Sequence, residues 1–269
     1  MKAPTDPSVP TRSGFIGLAG RPNVGKSTLT NALVGTKVAI VSDRPQTTRR
    51  AVRAIATAPD EAWQMVLVDL PGVQKPRDVL TERMQSRVER ELRDSDAVLF
   101  VLNGEQGIGA GDRFIANTLL GARQTTPVIC AVNKIDVLDR RELIEVLSAA
   151  GELEVVDEVF PISARRGTGL EPLHARLTEL MPEGPLMYPP GDSSDETSEI
   201  HLAELVREQI LHRTREELPH AVEVQVSEIF SRDDGLLEIH ADVWAETDSQ
   251  KAILIGKRGS MVRDVGAAA

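Results

Sequence analysis

The sequence predicts an α/β fold: a doubly wound, mostly parallel sheet covered by helices, followed by a smaller α+β domain. In the first two thirds of its 269 residues, short aliphatic runs alternate with longer amphipathic stretches, as in successive strand–helix units. A segment rich in proline, glycine and serine, 183–197, then breaks this pattern as a linker does. After it the order becomes helix, strand, strand, helix, which indicates a second domain.

The predicted strands of the larger domain are its buried aliphatic runs. They are Phe15–Ala19, Val52–Thr57, Met65–Asp69, Ala97–Leu102, Val128–Asn133 and Val155–Ile162. The stretches between them repeat apolar residues with helical spacing. The predicted helices are Lys26–Val34, Val79–Arg93, Asp112–Leu120, Arg140–Ala149 and Leu170–Leu180. Ligands of such sheets bind at the carboxyl ends of the strands, so functional residues are expected in the loops that follow them.

Four segments divide the chain. They are a disordered lead-in at 1–13, the larger domain at 14–182, the linker at 183–197 and the smaller domain at 198–269. The smaller domain contains alternating strands around a turn of the hairpin type. Its predicted elements are the helix Glu199–Glu217, the strands Val222–Val226 and Leu236–Val243, and the helix Ser249–Ile255.

Composition excludes several classes of protein. The 31 basic and 41 acidic residues give a net charge of −10, which excludes a simple polycationic nucleic-acid binder. The single cysteine, Cys130, cannot form an internal disulfide or a cysteine-based zinc site, and a reducing compartment is expected. The apolar runs are too short to span a membrane, and the N-terminus lacks the apolar core of a signal peptide. We therefore expect a cytoplasmic protein without a transmembrane segment.

A phosphate-binding loop is predicted directly after the first strand, where the pattern G-x-x-x-x-G-K-S occurs. Its candidate residues are Gly20, Arg21, Pro22, Asn23, Val24, Gly25, Lys26, Ser27 and Thr28. Backbone amides of such a loop face phosphate oxygens, and the following helix contributes its positive end. Lys26 can reach the β- and γ-phosphates, and the hydroxyl of Ser27 suits magnesium. The strand before the loop and the helix after it argue against a chance glycine-rich turn.

The tetrapeptide Asn133-Lys-Ile-Asp136 predicts that the base is guanine. The carboxylate of Asp136 can accept hydrogen bonds from N1–H and the amino group of guanine, whereas adenine offers no such pair. Asn133 can hold this loop and address the other edge of the base, and Lys134 can lay its stem over the ring. Ser163 and Ala164 end the last predicted strand, where the amide of Ala164 can contact the guanine carbonyl. A solvated turn is the alternative for each motif taken alone.

Two further segments fit a nucleotide switch. The residues after the third strand are Asp69, Leu70, Pro71 and Gly72. Asp69 can hold magnesium through water, and Gly72 can offer its amide to a γ-phosphate. In the polar loop 42–50, Thr48 can supply its hydroxyl to magnesium only while the γ-phosphate is present. Thr47 is adjacent and remains open, and an ordinary polar loop and a strand-end turn are the alternatives for these segments.

The order of these motifs over residues 14–181 resembles the translation-factor-like GTPases. The roles that the resemblance implies are catalysis by Lys26, Thr48 and Gly72 and magnesium binding by Ser27, Thr48 and Asp69. It favours Thr48 over Thr47, because similar GTPases place this ligand immediately before an arginine. GTP and Mg²⁺ are therefore the expected substrate and cofactor.

Two positions in the predicted GTPase domain leave alternatives open. Val73 stands where Ras-like enzymes carry a water-orienting glutamine, and valine cannot orient water by hydrogen bonding. Either hydrolysis is slow or another group acts. The candidates are Gln74, Arg44, Arg49 and Arg50. Asn23 is either the asparagine with which related GTPases hold K⁺ against the phosphates or a turn residue.

A G-x-x-G turn between two short helices is the motif of the smaller domain. Its candidate RNA-binding residues are Gly256, Lys257, Arg258 and Gly259. KH domains clamp four nucleotides on such a turn, and a structural helix–helix turn is the alternative. The switch loop of the larger domain contains Pro-Gln-Thr-Thr-Arg. Because the chain combines this motif with a KH-type turn in the second domain, nearly all of it resembles the Era family of bacterial GTPases. The resemblance implies a type II KH domain, binding to small-subunit ribosomal RNA near its 3′ end, assistance to 30S maturation and a position near the inner membrane surface.

The chain departs from that family in two ways. It ends ten residues after Gly259, whereas relatives continue with a complete helix, a strand and a further helix, so we expect an incomplete KH module. Residues 185–269 hold 8 basic and 17 acidic residues, a net charge of −9, against −1 for the rest. Because RNA affinity depends on phosphate neutralisation, the alternative is that this acidic module binds a protein partner. The sequence leaves the oligomeric state open, and a monomer is the simplest expectation.

Overall fold

The computed structural model describes residues 11–42, 52–58, 63–69, 90–122, 125–214 and 222–269. Contacts divide them into two compact units, a larger one that extends to Asp195 and a smaller one that begins at Glu196. Residues 40–42 also group with the smaller unit. The boundary falls inside the predicted linker 183–197. No helix among the described residues is long and apolar enough to cross a bilayer.

The larger unit is built on a six-stranded sheet. Its strands are β1 (Arg12–Ala19), β2 (Val52–Ala58), β3 (Trp63–Asp69), β4 (Ala97–Asn103), β5 (Val128–Asn133) and β6 (Glu158–Pro161). Their order is β2-β3-β1-β4-β5-β6, and only β2 runs antiparallel to its neighbour. This arrangement confirms the predicted α/β fold. Strand β1 starts at Arg12, inside the predicted lead-in 1–13, and β6 is shorter than the predicted Val155–Ile162.

Helices cover both faces of this sheet. They are α1 (Lys26–Val34), α2 (Ala110–Ala122), α3 (Arg140–Gly151) and α4 (Leu170–Leu180). Alternate side chains of β4 enter two different cores: Leu99 and Val101 join one, and Phe100 and Leu102 join the other. A strand buried on both faces needs a continuous apolar run, which is what the sequence showed. Of the predicted helix Val79–Arg93, only residues 90–93 are described, and they are helical.

The segment predicted as a free linker is ordered against the sheet. The amide of Ser13 donates to Pro182 O at 3.1 Å, and the amide of Ile55 donates to Ser193 O at 2.8 Å. The buried side chain of Gln64 donates to Tyr188 O at 2.9 Å and accepts from the amides of Met187 and Tyr188. A proline-rich segment cannot form a regular ladder, so a side-chain amide satisfies its backbone groups instead.

The smaller unit combines helices with an antiparallel pair of strands. Its elements are α5 (Ser198–Arg213), β7 (Val222–Ser231), β8 (Leu237–Ala245), α6 (Asp248–Ile255) and α7 (Ser260–Ala268). Helix α5 ends at Arg213 rather than at the predicted Glu217, because Thr214 is extended (φ −109°, ψ 158°). Within this unit the amide of Val41 donates to Glu208 Oε1 at 2.9 Å, and His212 Nε2 lies 2.9 Å from Val41 O.

Candidate functional site

The phosphate loop leaves β1 at Gly20 and enters α1 at Lys26. Asn23 and Gly25 have positive φ angles of 63° and 100°, which turn the backbone sharply before the helix begins. At Gly20 there is no room for a side chain, since a Cβ atom would lie 2.6 Å from Val101 O. Val24 is buried and fixes the middle of the loop. The loop therefore has the wrapped backbone that its sequence predicts.

Lys26 is buried at the centre of this loop. Its Nζ donates to the carbonyl oxygens of Gly20 and Arg21 at 3.0 Å each. Burial lowers the pKa of Lys26 from 10.5 to about 8, although the carboxylate of Asp69 acts in the opposite direction. A cation held in this way inside the loop can exchange its carbonyl partners for phosphate oxygens.

Ser27, in the first turn of α1, meets Asp69 at the carboxyl end of β3. Asp69 is the last residue of β3 and is fully buried, and Ser27 Oγ donates to its Oδ2 at 2.7 Å. The strand pairing places Leu18, the residue before the end of β1, beside Asp69. A hydroxyl and a carboxylate are the hard oxygen donors that magnesium prefers, so these two residues fit the predicted ion.

Asn133 joins three loops of the larger unit. Its Nδ2 donates to Val24 O at 2.9 Å, which links the end of β5 to the phosphate loop. Its Oδ1 accepts from the amides of Lys134 at 2.8 Å and Ala164 at 3.0 Å. Lys134 has a positive φ of 66°, which turns the chain towards Asp136. The side chain of Asn133 therefore positions the loop that is predicted to read the base, and the amide of Ala164, predicted to contact guanine, donates to Asn133.

Asp136 has partners for both of its carboxylate oxygens. Ser163 Oγ donates to Oδ1 at 2.7 Å, and Arg166 Nε lies 3.3 Å from Oδ2. The hydrogen bond from Ser163 is the main cause of a lowered pKa for Asp136, and Arg166 and Arg165 act in the same direction. The carboxylate is therefore ionised at neutral pH, as an acceptor for two donors must be.

The G-x-x-G turn of the smaller unit lies between α6 and α7. Gly256, Arg258 and Gly259 have φ angles of 71°, 54° and 74°, and Lys257 and Arg258 are exposed. A Cβ atom on Gly256 would lie 2.7 Å from the Cβ of Met261, so only glycine lets the two helices approach closely here. The turn thus presents two cationic side chains between two glycines, where the backbone is accessible.

Curated relatives are similar to this chain over almost its whole length. GTPase Era of Streptomyces coelicolor is 46% identical over 265 residues, which cover 95% of this chain and 83% of the relative. GTPase Era of Heliobacterium modesticaldum is 42% identical over 255 residues, which cover 95% and 84%. The chain belongs to the Era family of GTPases. Its sequence also matches two domain families, 50S ribosome-binding GTPase at residues 15–134 and KH domain at 217–269.

Solved structures of Era share the fold of this family member. Era in complex with MgGDPNP and nucleotides 1506–1542 of 16S ribosomal RNA is 31% identical, with a TM-score of 0.89. An Aquifex aeolicus Era variant bound to GDP·AlF4⁻ is 30% identical, with a TM-score of 0.88. Each match covers 96% of this chain and 87% of the solved chain. The fold predicted from sequence, a GTPase domain followed by a KH domain, is confirmed.

Most residues predicted for the nucleotide site of this Era-family chain lie together at one edge of the sheet. They are the phosphate loop, Asp69, the tetrapeptide that ends at Asp136, and the pair Ser163 and Ala164. Thr48, Leu70, Pro71 and Gly72 lie outside the described residues, as do Thr47, Val73, Gln74, Arg44, Arg49 and Arg50. Their roles stay predictions.

Sequence reasoning missed two residues that support this site. Asp112 is fully buried, pairs with Arg21 Nε at 2.8 Å and accepts from the amide of Gly109 at 2.9 Å. Its position in the first turn of α2 was a signal, because carboxylates there satisfy free amides at helix starts. Arg166 was the second, and nothing in its spacing from Asp136 indicated the contact.

Proposed function

We propose that this chain is a GTP-hydrolysing switch that binds small-subunit ribosomal RNA and assists assembly of the 30S subunit. The observation that carries the proposal is the bond from Asn133 to Val24 O. It ties the loop that would read guanine to the loop that would hold the phosphates, so both recognition elements form one rigid site. The solved relative bound to MgGDPNP and a 16S RNA fragment supports the same nucleotide and the same RNA.

Within this site the residues divide the work of phosphate binding. Lys26 neutralises negative charge on the β- and γ-phosphates, at a buried position where water screens the interaction little. Ser27 and Asp69 would hold Mg²⁺, the serine directly and the aspartate through water, and the ion would supply positive charge against the phosphate oxygens. For Thr48 and Gly72, which lie outside the described residues, the expected roles are a hydroxyl ligand to the ion in the GTP state and an amide contact to the γ-phosphate.

Substituting Asp136 by asparagine tests the base site. The substitution replaces one acceptor with a donor that faces the guanine amino group, so GTP affinity should fall about 100-fold or more. Xanthosine triphosphate, which carries a carbonyl at that position, should bind the variant better than the parent. Fluorescence titration with both nucleotides measures this exchange. Unchanged GTP affinity in Asp136→Asn would remove the residue from the base site.

The RNA-binding proposal depends on the turn between α6 and α7. Beside its two exposed cations, the helices expose the aliphatic side chains of Ile253, Ile255 and Val262, on which unpaired bases can lie. Phosphate contacts at Lys257 and Arg258 fix the strand, while the acidic remainder of the unit repels RNA that approaches elsewhere. The RNA-bound relative favours RNA over the alternative of a protein partner for this module.

A double charge reversal tests this turn. Lys257→Asp with Arg258→Asp should weaken binding of a 16S 3′-end RNA fragment at least tenfold and reduce its salt dependence. Arg213→Asp with Arg232→Asp is the matched control, since it changes the charge of the same unit equally at exposed positions away from the turn. Equal losses in both variants would mean that net charge rather than the turn governs binding. GTP hydrolysis without RNA should not change in either.

The remaining parts of the proposal concern potassium and location. We propose that Asn23, whose φ is 63°, contributes to a K⁺ site, as the family resemblance implies. Hydrolysis should then be faster in K⁺ than in Na⁺, with the difference lost in Asn23→Gly, a substitution that keeps the backbone conformation.

The family resemblance implies that the protein is cytoplasmic and associates peripherally with the inner face of the membrane. Cell fractionation with antibody detection tests it.

A further inference from the structure

We propose that Arg166 is a positioning residue for Asp136, which orients its carboxylate for guanine by occupying the outer side of Oδ2. This inference rests on the proposed function, because it requires Asp136 to read the base. Arg166 follows the Ser163–Ala164 pair by two residues and belongs to none of the motifs that the sequence analysis identified.

The side chains and backbone of three residues form a closed ring. Ser163 Oγ donates to Asp136 Oδ1 at 2.7 Å and accepts from the amide of Arg166 at 3.2 Å. The Arg166 side chain returns to Asp136, with Nε 3.3 Å from Oδ2. One short turn after β6 thus holds both oxygens of a carboxylate that lies 27 residues earlier in the chain.

This ring leaves the carboxylate with the acceptor capacity that guanine needs. An ionised carboxylate has about four lone-pair positions, two on each oxygen. Ser163 uses one position on Oδ1, whereas Arg166 faces Oδ2 as an ion pair, with Nε at 3.3 Å, and leaves its lone pairs open. Each oxygen therefore keeps at least one open position, enough for the N1–H and the amino N–H of guanine. Without Arg166, Oδ2 loses the charge that attracts it from the solvent side, and the carboxylate can rotate about the bond that Ser163 holds.

The turn that delivers Arg166 is itself fixed. The amide of Arg166 also donates to Ser163 O at 3.2 Å, and the amide of Ser163 donates to Thr168 O at 2.9 Å. The Arg166 side chain is 67% exposed whereas that of Asp136 is only 14% exposed, so the arginine lies over the carboxylate from the solvent side. Its removal should therefore leave the fold intact, because no core contact is lost.

A mutant cycle on the full chain, measured with fluorescent GDP, tests the proposal. Arg166→Ala should weaken GDP binding about two- to fivefold, the range expected for an ion pair near the surface. Arg166→Lys should retain part of the affinity because it keeps the charge. Arg141→Ala is the matched control, since Arg141 makes a comparable exposed pair with Glu145 at 2.8 Å, and it should bind GDP as the parent does.

The Asp136→Asn background separates a positioning role from other roles. Arg166→Ala should have no further effect on the affinity for xanthosine diphosphate in that background, because the carboxylate that the arginine positions is gone. The same loss in both backgrounds would overturn the proposal, since Arg166 would then act on the nucleotide or on the fold. Full GDP affinity in Arg166→Ala, together with a large loss in Asp136→Asn, would refute the proposal and leave the base site standing. Unchanged affinity in Asp136→Asn would refute both.

Discussion

Lys26 should make the stability of the nucleotide-free chain depend on pH. Its Nζ is buried against two carbonyl oxygens, and burial lowers its pKa to about 8. The perturbation to test is Lys26→Met, which keeps the length of the side chain and removes the titrating group. Because the Lys26 side chain is more than nine-tenths buried, water screens its charge little, and the lowered pKa changes the free energy of unfolding directly.

The sign follows from the direction of the shift. In the unfolded chain the lysine keeps its ordinary pKa of 10.5, whereas in the folded chain it releases its proton near pH 8. Between these values unfolding takes up a proton, so the free energy of unfolding rises with pH. From pH 7 to pH 10 the expected gain is about 2 to 3 kcal/mol, at 1.36 kcal/mol for each pKa unit. The gain should be absent in Lys26→Met.

Urea unfolding at several pH values measures this effect, and the two tryptophans allow the units to be followed separately. Trp63 lies in β3 of the larger unit, and Trp244 is 60% exposed in β8 of the smaller one. In a Trp244→Phe background the fluorescence therefore reports the larger unit. Parallel pH profiles for the parent and Lys26→Met would refute the reasoning. Saturating Mg–GDP should flatten the profile of the parent, because phosphates near Nζ raise its pKa.

Two further predictions concern a glycine of the phosphate loop and a helix cap. Gly25→Ala should lower the free energy of unfolding by about 2 kcal/mol or more, because φ is +100° and the new Cβ would collide with the side-chain amide of Asn133. Gly35→Ala is the control, because Gly35 also has a positive φ, 81°, but a Cβ atom there would meet nothing within 4 Å. Thermal unfolding of the control therefore measures the conformational cost alone. Equal losses of stability in the two variants would contradict the collision with Asn133. Asp139→Ala should cost about 1 kcal/mol in urea unfolding, because Asp139 and Glu142 form a capping box at the start of α3. An unchanged midpoint would mean that another group caps this helix.

Much of the larger unit follows from its sequence because local and global signals agree there. The predicted helix Lys26–Val34 matches α1 residue for residue, since the motif before it fixes its start and Gly35 ends it in the left-handed conformation. The predicted strands are recognisable because both of their faces are buried, which leaves long aliphatic runs. The carboxyl-end rule predicts Asp69 and Asn133 at the same edge of the sheet, and they are the last residues of β3 and β5.

The predictions were less accurate where tertiary contacts override local signals. The segment 183–195 has the composition of a flexible linker, yet Gln64 binds it to the sheet across more than 120 residues of sequence. Helix α5 was predicted to end at Glu217, shortly before Pro219, yet the extended backbone of Thr214 ends it at Arg213. The contact between Arg166 and Asp136 depends on a turn that no local pattern encodes.

The bond from Asn133 to Val24 O has a consequence for synthesis of the chain. It joins residues 109 positions apart, and Asn133 in turn needs the amide of Ala164 to fix its side chain. A nascent chain that has passed the phosphate loop therefore carries the complete motif long before it carries the partners that shape it. In the proposed base site, these bonds can form once Ala164 has been added and β5 has paired with β4. Products that end before Ala164 therefore lack the amide that fixes Asn133, and we expect them to lack guanine discrimination.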